Sequence, residues 1–381
     1  MTVSKSKTPQ GEWPFLDLLR AVAAFLVLIG HARNYYFAPI GSLDHPGPLL
    51  KLFWFVTVLH HEAVVVFFIL SGFLVGGSVV NAMRAGRFNL RDYLIARFAR
   101  IYPVLLPALA VTALIFWLGS TFFADPGGGE EIIRPLFSDR QTDFGGAALL
   151  CHLVNIQGYA CATWTEDSPL WSLGYEWVLY LFAPMVIGLV LGRMPVATRA
   201  IGLALVIGLA VSLAAKWDDC LFWFSVWFLG VAASQIAQSR RLPLAAGVAG
   251  CALAVAAMVV SRFKIFPVME TDTVIALGMA LAVSCRSLIA LRLLPRFFHW
   301  AAGFSYSLYA IHLPILFLVI ALFQKLGLPA VKMPPAPRTF AVFGATVAVA
   351  LVGGYVFSLA TEKQTRHLRA YLSGRVPSKG G

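Results

Sequence analysis

Apolar residues run through this sequence in blocks of roughly 20, parted by short polar stretches and without sustained period-2 alternation. Coiled as an α-helix at about 1.5 Å per residue, such a block matches the ~30 Å hydrocarbon core of a bilayer. The blocks predict crossings near 14–33, 53–80, 101–123, 169–192, 197–215, 220–238, 243–260, 273–290, 299–323 and 339–360. A transmembrane β-barrel would need alternating strands instead. The expected fold class is therefore all-α and polytopic, with about ten transmembrane helices. FGGAALLCHLVNIQGYA (144–160) is apolar but short and interrupted, and counting it as a crossing would invert every later loop. It is expected to be re-entrant or interfacial, its backbone satisfied by protein or water. The segment 124–168 that contains it is long for a compact protein and is expected to roof a site.

The polar positions that interrupt these blocks carry the chemistry. The first block, PFLDLLRAVAAFLVLIGHAR, holds Arg20 and His31. Eleven residues place them on nearly the same helix face, about 16 Å apart along the axis. An ionisable side chain at membrane depth is costly and points to function; the plain alternative is an arginine snorkelling to one boundary and a histidine resting at the other. The second block opens with His60, His61 and Glu62, and its Ser71, Gly72, Gly76 and Gly77 offer small surfaces for close helix contact. Ser172, Glu176 and Tyr180 form one helical stripe, and Ser305, Tyr309 and His312 form another. Such stripes line a polar cavity or make interhelical hydrogen bonds. Trp217, Trp223 and Trp227 read as belt residues at the membrane boundary.

Composition agrees with the pattern. The 381 residues are 59% hydrophobic and 13% charged, with mean hydropathy +0.78. The formal net charge of +12 would suit nucleic acid, but its distribution argues for orientation instead. Lys and Arg gather in alternate loops, above all Arg84, Arg87, Arg91, Arg97 and Arg100 and the tail beyond Thr361, while acidic residues gather in the others. By the positive-inside rule both termini lie in the cytoplasm, and nucleic acid is not an expected partner. Residues 1–381 read as one integral-membrane domain whose segment 361–381 is a basic, flexible cytoplasmic tail. The first block is too long, and too polar at Arg20, for a cleaved signal. The cysteines form no metal spacing; Cys151 and Cys161 lie where they could pair on the outer face, and the rest read as small apolar residues.

By this topology His31, His61 and Glu62 fall at similar depth toward the outside, with Glu176 about two turns into its helix. An imidazole beside a carboxylate in low dielectric is the arrangement of a general base, although a buried ion pair would look the same. Arg97 and Arg100, at i and i+3, lie at the cytoplasmic mouth; they are plain orientation residues or a bidentate clamp for a polyphosphate. No nucleophile elbow, phosphate-binding glycine loop or zinc-hydrolase motif occurs in a usable context.

Arg20-x10-His31, FFILSGFLV (67–75), RFARIYP (97–103), SPLWSLGYEW (168–177) and SYSLYAIHLP (305–314) together resemble acyltransferase family 3, in the family's order and over nearly the whole chain. These are bacterial membrane O-acyltransferases of surface glycans, nodulation factors and macrolides. The resemblance implies catalytic roles for His31, Glu176 and Arg20, and acyl-CoA binding by Arg97 and Arg100. Glu62, His61, Tyr309, His312 and Ser172 would contact substrate or support the site. No metal and no bound cofactor are implied. The donor would be acyl-CoA, most simply acetyl-CoA, and the acceptor a hydroxyl of a carbohydrate or glycolipid. The enzyme would lie in the bilayer of the bacterial inner membrane. Gly174 departs from a frequent serine, and HEAVVVFF from a frequent Gly-Val-acid-Leu. Some family members carry an extracytoplasmic esterase-like domain, and this chain is expected to act without one. A transporter or flippase of a lipid-linked glycan is the competing class; it would be expected to show repeats and broken helices in both halves, and neither is seen.

Overall fold

A computed structural model of the chain describes residues 13–123, 145–164, 169–192, 201, 202, 204, 217–291, 296–329 and 331–374. In chain order its principal helices are α1 (Pro14–Tyr36), α2 (Pro48–Thr57), α3 (His60–Ser71), α4 (Gly77–Arg84), α5 (Leu90–Phe122), α6 (Gly146–Leu153), α7 (Trp171–Leu191), α8 (Trp217–Ser239), α9 (Leu244–Ser261), α10 (Val268–Ser284), α11 (Arg296–Ala302), α12 (Ser305–Lys325), α13 (Pro337–Ala360) and α14 (Thr365–Leu372). Among the described residues, 8 helical stretches are long and apolar enough to cross a membrane. The protein is an all-α, polytopic membrane protein. The apolar α10, at 17 residues, is slightly shorter and lies in the region of the eighth expected crossing. The crossing expected at 197–215 falls almost wholly outside the described residues.

Several boundaries differ from the hydropathy reading for local reasons. α5 starts at Leu90 rather than near 101, because the Asn89 side chain caps the Asp92 amide at 3.0 Å. Arg97 and Arg100 therefore sit on a continuous helix, not in a loop mouth. The ninth crossing is broken at Gly303 into α11 and α12. The stretch 144–160 holds only the 8-residue α6, followed by turns and a Cys151–Cys161 disulfide. The tail is not loose throughout: Glu362 is buried, and α14 follows it as a helix.

The chain divides into two compact units. The first comprises residues up to Ala23, Val65–Gly77 and Ser225–Gly303. Here the small residues expected to allow close contact do so. A Cβ on Gly72 would strike the Trp227 carbonyl, one on Gly230 would strike the Ile69 carbonyl, and the Trp227 indole N–H donates to Ser71 Oγ at 3.1 Å. Gly72–Gly76 is wound as a π turn between α3 and α4, the kind of local unwinding that often marks a functional segment. Trp227 is fully buried in this contact, not a boundary residue. α9 and α10 pack through glycine as well: an added Cβ would lie 2.6 Å from the Ala282 amide at Gly250 and 2.7 Å from the Ala254 amide at Gly278.

The second unit holds Ala24–Val64, Ser78–Phe224 and Phe304–Gly381. Its core is α12, where Ala310, Leu316, Ile320 and Ala321 are entirely buried. Tyr306 Oη donates to the Ile101 carbonyl and Lys325 Nζ to the Phe122 carbonyl, so α5 runs parallel to α12. α1 does too, pairing His31 with His312 and Tyr35 with Phe317. The segment 332–333 laces the end of α1: the amides of Lys332 and Met333 donate to the carbonyls of Tyr35 and Tyr36, and Lys332 Nζ donates to that of Asn34. These are carbonyls a helix terminus leaves without intrahelical partners.

Candidate active site

The second unit carries two polar centres joined by α12. At one, α5 presents Arg97 and Arg100 a turn apart. Arg100 Nη1 meets Glu362 Oε1 at 2.7 Å, and Glu362 Oε2 accepts from both the amide and hydroxyl of Ser307 at 3.1 Å. Its guanidinium also lies 5.0 Å from the Tyr306 ring centre. Arg97 lies over the rings of Tyr93 and Tyr180, at 5.8 and 5.4 Å, and its buried Nε has no hydrogen-bond partner among the described residues. The two arginines read together as a clamp thus differ in state. Arg100 is neutralised by an acid; Arg97 forms no ion pair among the described residues. Tyr93 Oη donates to the Tyr180 carbonyl and Tyr180 Oη to Glu176 Oε1, at 2.9 and 2.6 Å.

About 9 Å along α12 from Tyr306 lies the second centre. His312, 1% exposed, places Nδ1 2.8 Å from the Tyr309 carbonyl. A carbonyl only accepts, so Nδ1 carries hydrogen and, in the neutral ring, Nε2 is the acceptor. His31 Nδ1 lies 2.8 Å from that Nε2 and donates to it. The two rings are stacked within 8°. The remaining nitrogen of His31, Nε2, is left with its lone pair. His60 stands beside it with ring centres 5.2 Å apart. This approach depends on Gly30, where a Cβ would come 2.7 Å from the His60 Cβ.

Between the centres, Tyr309 Oη donates to the Pro169 carbonyl at 2.7 Å and, its own hydrogen so used, accepts a hydrogen bond from Ser172 Oγ at 2.6 Å. This pins the start of α7 to α12. The segment after α6 covers that start. Asn155 Nδ2 donates to the Leu173 carbonyl, Gln157 Nε2 to that of Leu170, and Gly174 lets the Gln157 carbonyl press against α7. A serine at 174 would collide there, which accounts for the departure from the family's frequent residue. His152 is buried against Trp164 and accepts the Trp164 amide on Nε2. Burial pushes its pKa below 6.5, opposed in part by the hydrogen bond to Ala148.

Against the residues singled out from sequence, the structure joins His31 to His312, Ser172 to Tyr309, and Arg97 to Tyr180. Either Glu176 or Glu62 is the carboxylate expected to orient His31. Glu176 is bonded to Tyr180 and lies within electrostatic reach of Tyr93 and Tyr306, toward the arginines. Glu62 is buried in the first turn of α3, while His61 turns to the ring of Trp223, itself buried rather than at a boundary. In the first unit Arg20 donates to the Ala302 carbonyl at the end of α11, at 3.2 Å, and lies 3.9 Å from Asp17. A cation there satisfies a helix C-terminus. Glu362, Tyr306 and Tyr93 escaped the sequence reading. Glu362 follows the last crossing in what reads as a tail, and its pairing with Arg100 spans 262 positions.

The acyltransferase family 3 profile, described as an acyltransferase domain, matches residues 13–355, and the chain belongs to that family. It is thus a multi-pass membrane protein of the acyltransferase class. Among its relatives, an O-acetyl transferase of Shigella phage Sf6 is 28% identical over 172 residues, covering 45% of each chain. An uncharacterised protein of Haemophilus influenzae is 29% identical over 126 residues, 32% of this chain and 47% of that one. Protein 2 in the picA locus of Rhizobium radiobacter is 30% identical over 111 residues, 29% of this chain and 49% of that one. The chain matches about half the length of each of these relatives. No solved structure matches it.

Proposed function

We propose that the protein is an O-acyltransferase that moves an acyl group, acetyl in the simplest case, from acyl-CoA to a carbohydrate hydroxyl. The observation that carries this reading is the hydrogen-bond chain that leaves His31 Nε2 with a free lone pair. Nε2 takes the acceptor's hydroxyl proton as its oxygen attacks the thioester carbonyl. The new C–O bond forms, the C–S bond breaks, and the imidazolium returns the proton to the departing CoA thiolate. Arg97 holds a CoA phosphate and Arg100, fixed by Glu362, shapes the same mouth. The phage relative's name, an O-acetyl transferase, supports acetyl as the group carried. The acceptor would be a surface polysaccharide or glycolipid.

The bacterial inner membrane, with termini in the cytoplasm, is the compartment this reading requires. The Cys151–Cys161 disulfide beside the start of α7 supports it, since disulfides persist on the oxidising side of a membrane. The test uses purified protein in nanodiscs with radiolabelled acetyl-CoA and a glycan acceptor. Wild type should release CoA and label the acceptor, and His31→Ala should lower turnover by about 10²-fold or more while leaving folding intact. Wild-type protein that consumes no acyl-CoA would favour the competing transporter of a lipid-linked glycan.

A further inference from the structure

Arg33 takes no part in the chemistry above, and its surroundings lack the group it calls for. It is only 9% exposed, and its Nε is buried without a hydrogen-bond partner. Among the described residues its side chain forms neither an ion pair nor a hydrogen bond. Lys332, instead of an acid, lies close enough to act on it: the Lys332 amide and ammonium are both tied to the end of α1, at the Tyr35 and Asn34 carbonyls. Lys332 holds a left-handed φ of 51° there, a conformation disfavoured for a residue with a side chain. A second buried donor, the indole N–H of Trp54, also lacks a partner. Trp54 packs on Phe37 with ring centres 5.5 Å apart, and Phe37, just past the end of α1, donates its amide to the Arg33 carbonyl. Arg33 projects about 200° around α1 from His31, away from the histidine pair.

Arg33 and Lys332 act on each other, an unpartnered indole donor packs on the neighbouring Phe37, and among the described residues no acid is bonded to either cation, so an anion would complete the site. We propose that Arg33, with Lys332 and the Trp54 indole, binds an oxyanion, a phosphate or carboxylate carried by the acceptor or by a lipid headgroup. A planar guanidinium takes such a group through two parallel hydrogen bonds, and the lysine adds a point charge. Assignment to the acceptor rests on the acyltransferase reading; the site itself does not. The bound group would hold part of the substrate remote from the reacting hydroxyl, on the other side of α1.

The test needs no acyl donor, so its failure is separate from failure of the acyltransferase. Full-length protein is placed in phosphatidylcholine nanodiscs, with or without inorganic phosphate, and in nanodiscs containing phosphatidylglycerol. An unpaired buried charge is destabilising, so in phosphate-free phosphatidylcholine Arg33→Gln should melt above wild type by about 2 °C or more. Phosphate should raise the wild-type Tm and leave Arg33→Gln unmoved, its apparent affinity at least about tenfold weaker in the variant. A rise with phosphatidylglycerol alone assigns the site to a lipid headgroup. Should Arg33→Gln fold poorly, phenylglyoxal modification of wild type supplies the reading, with phosphate or phosphatidylglycerol expected to protect Arg33. Equal melting responses of wild type and variant, or modification that neither anion slows, would overturn the site.

Discussion

In the proposed mechanism His312 takes the place of the carboxylate of a serine-type triad, and a neutral imidazole could do that orienting work because its own Nδ1–H is held by the Tyr309 carbonyl. Removing that acceptor frees the His31 ring to lose its tautomer. His312→Leu should therefore lower kcat by about 10²–10⁴-fold, as loss of an orienting residue does elsewhere, with little change in KM for acyl-CoA. His312→Gln, whose amide oxygen can accept from His31 Nδ1, should recover part of the loss. Equal damage from both variants, or a change confined to KM, would remove His312 from the chemistry. At this scale the sequence was informative wherever a polar residue broke an apolar block: His31 meets His312, and Ser172 meets Tyr309. It was mute on partners. Glu176 lies on the expected stripe, yet its bond to Tyr180 joins it to the arginine end. A hydropathy pattern fixes depth and face and leaves the neighbouring helix unnamed.

Among elements, α6 and the turns after it were foreseeable as a stretch too short to cross, while their attachment to α7 through side-chain amides was not. Their hold on the site depends on a neutral histidine. His152 Nε2 accepts the Trp164 amide, and protonation would replace an acceptor with a donor. Because its folded pKa lies below 6.5, the stability it contributes is complete above that value and is lost as pH falls through the lowered one. Amide exchange in residues 146–164, corrected for its intrinsic pH dependence, should therefore lose protection between pH 7 and pH 5, and His152→Gln should flatten the profile. A wild-type rate that follows only the intrinsic pH dependence of exchange would contradict this. The helical start of α5 at Leu90 was hidden for a different reason. Its first turns carry Arg91, Arg97 and Arg100, whose charge reads as loop, while the order comes from the Asn89 cap and from the Arg100–Glu362 pair.

Across the whole molecule, the basic loops and the disulfide make one statement about orientation. Cys151 and Cys161 are bonded to each other, and the charge pattern predicts that they lie on the side whose loops carry few Lys and Arg. In intact cells, mild reduction followed by a membrane-impermeant maleimide should label this pair. Labelling that appears only after the membrane is opened would reverse the topology. The apolar blocks made the polytopic class legible from the start, since a bilayer admits few other ways to satisfy a backbone. The division into two compact units was not legible. Four of their five boundaries fall inside continuous helices, at Ala23, Val64, Gly77 and Phe224, where the pattern of apolar residues has no seam; the fifth, at Gly303, is the break between α11 and α12.

The glycine contact between α9 and α10 bears on how the chain is made. Gly250 and Gly278 face the partner backbone across a link of six residues, 262–267, so this antiparallel pair needs no later segment to complete its interface. Small residues let two helices associate inside lipid through dispersion and backbone proximity, without a hydrophobic drive. As the chain leaves the ribosome, these two segments would pair as a hairpin at insertion and leave the translocon together, before α12 and the His312 that pairs with His31 have been synthesised.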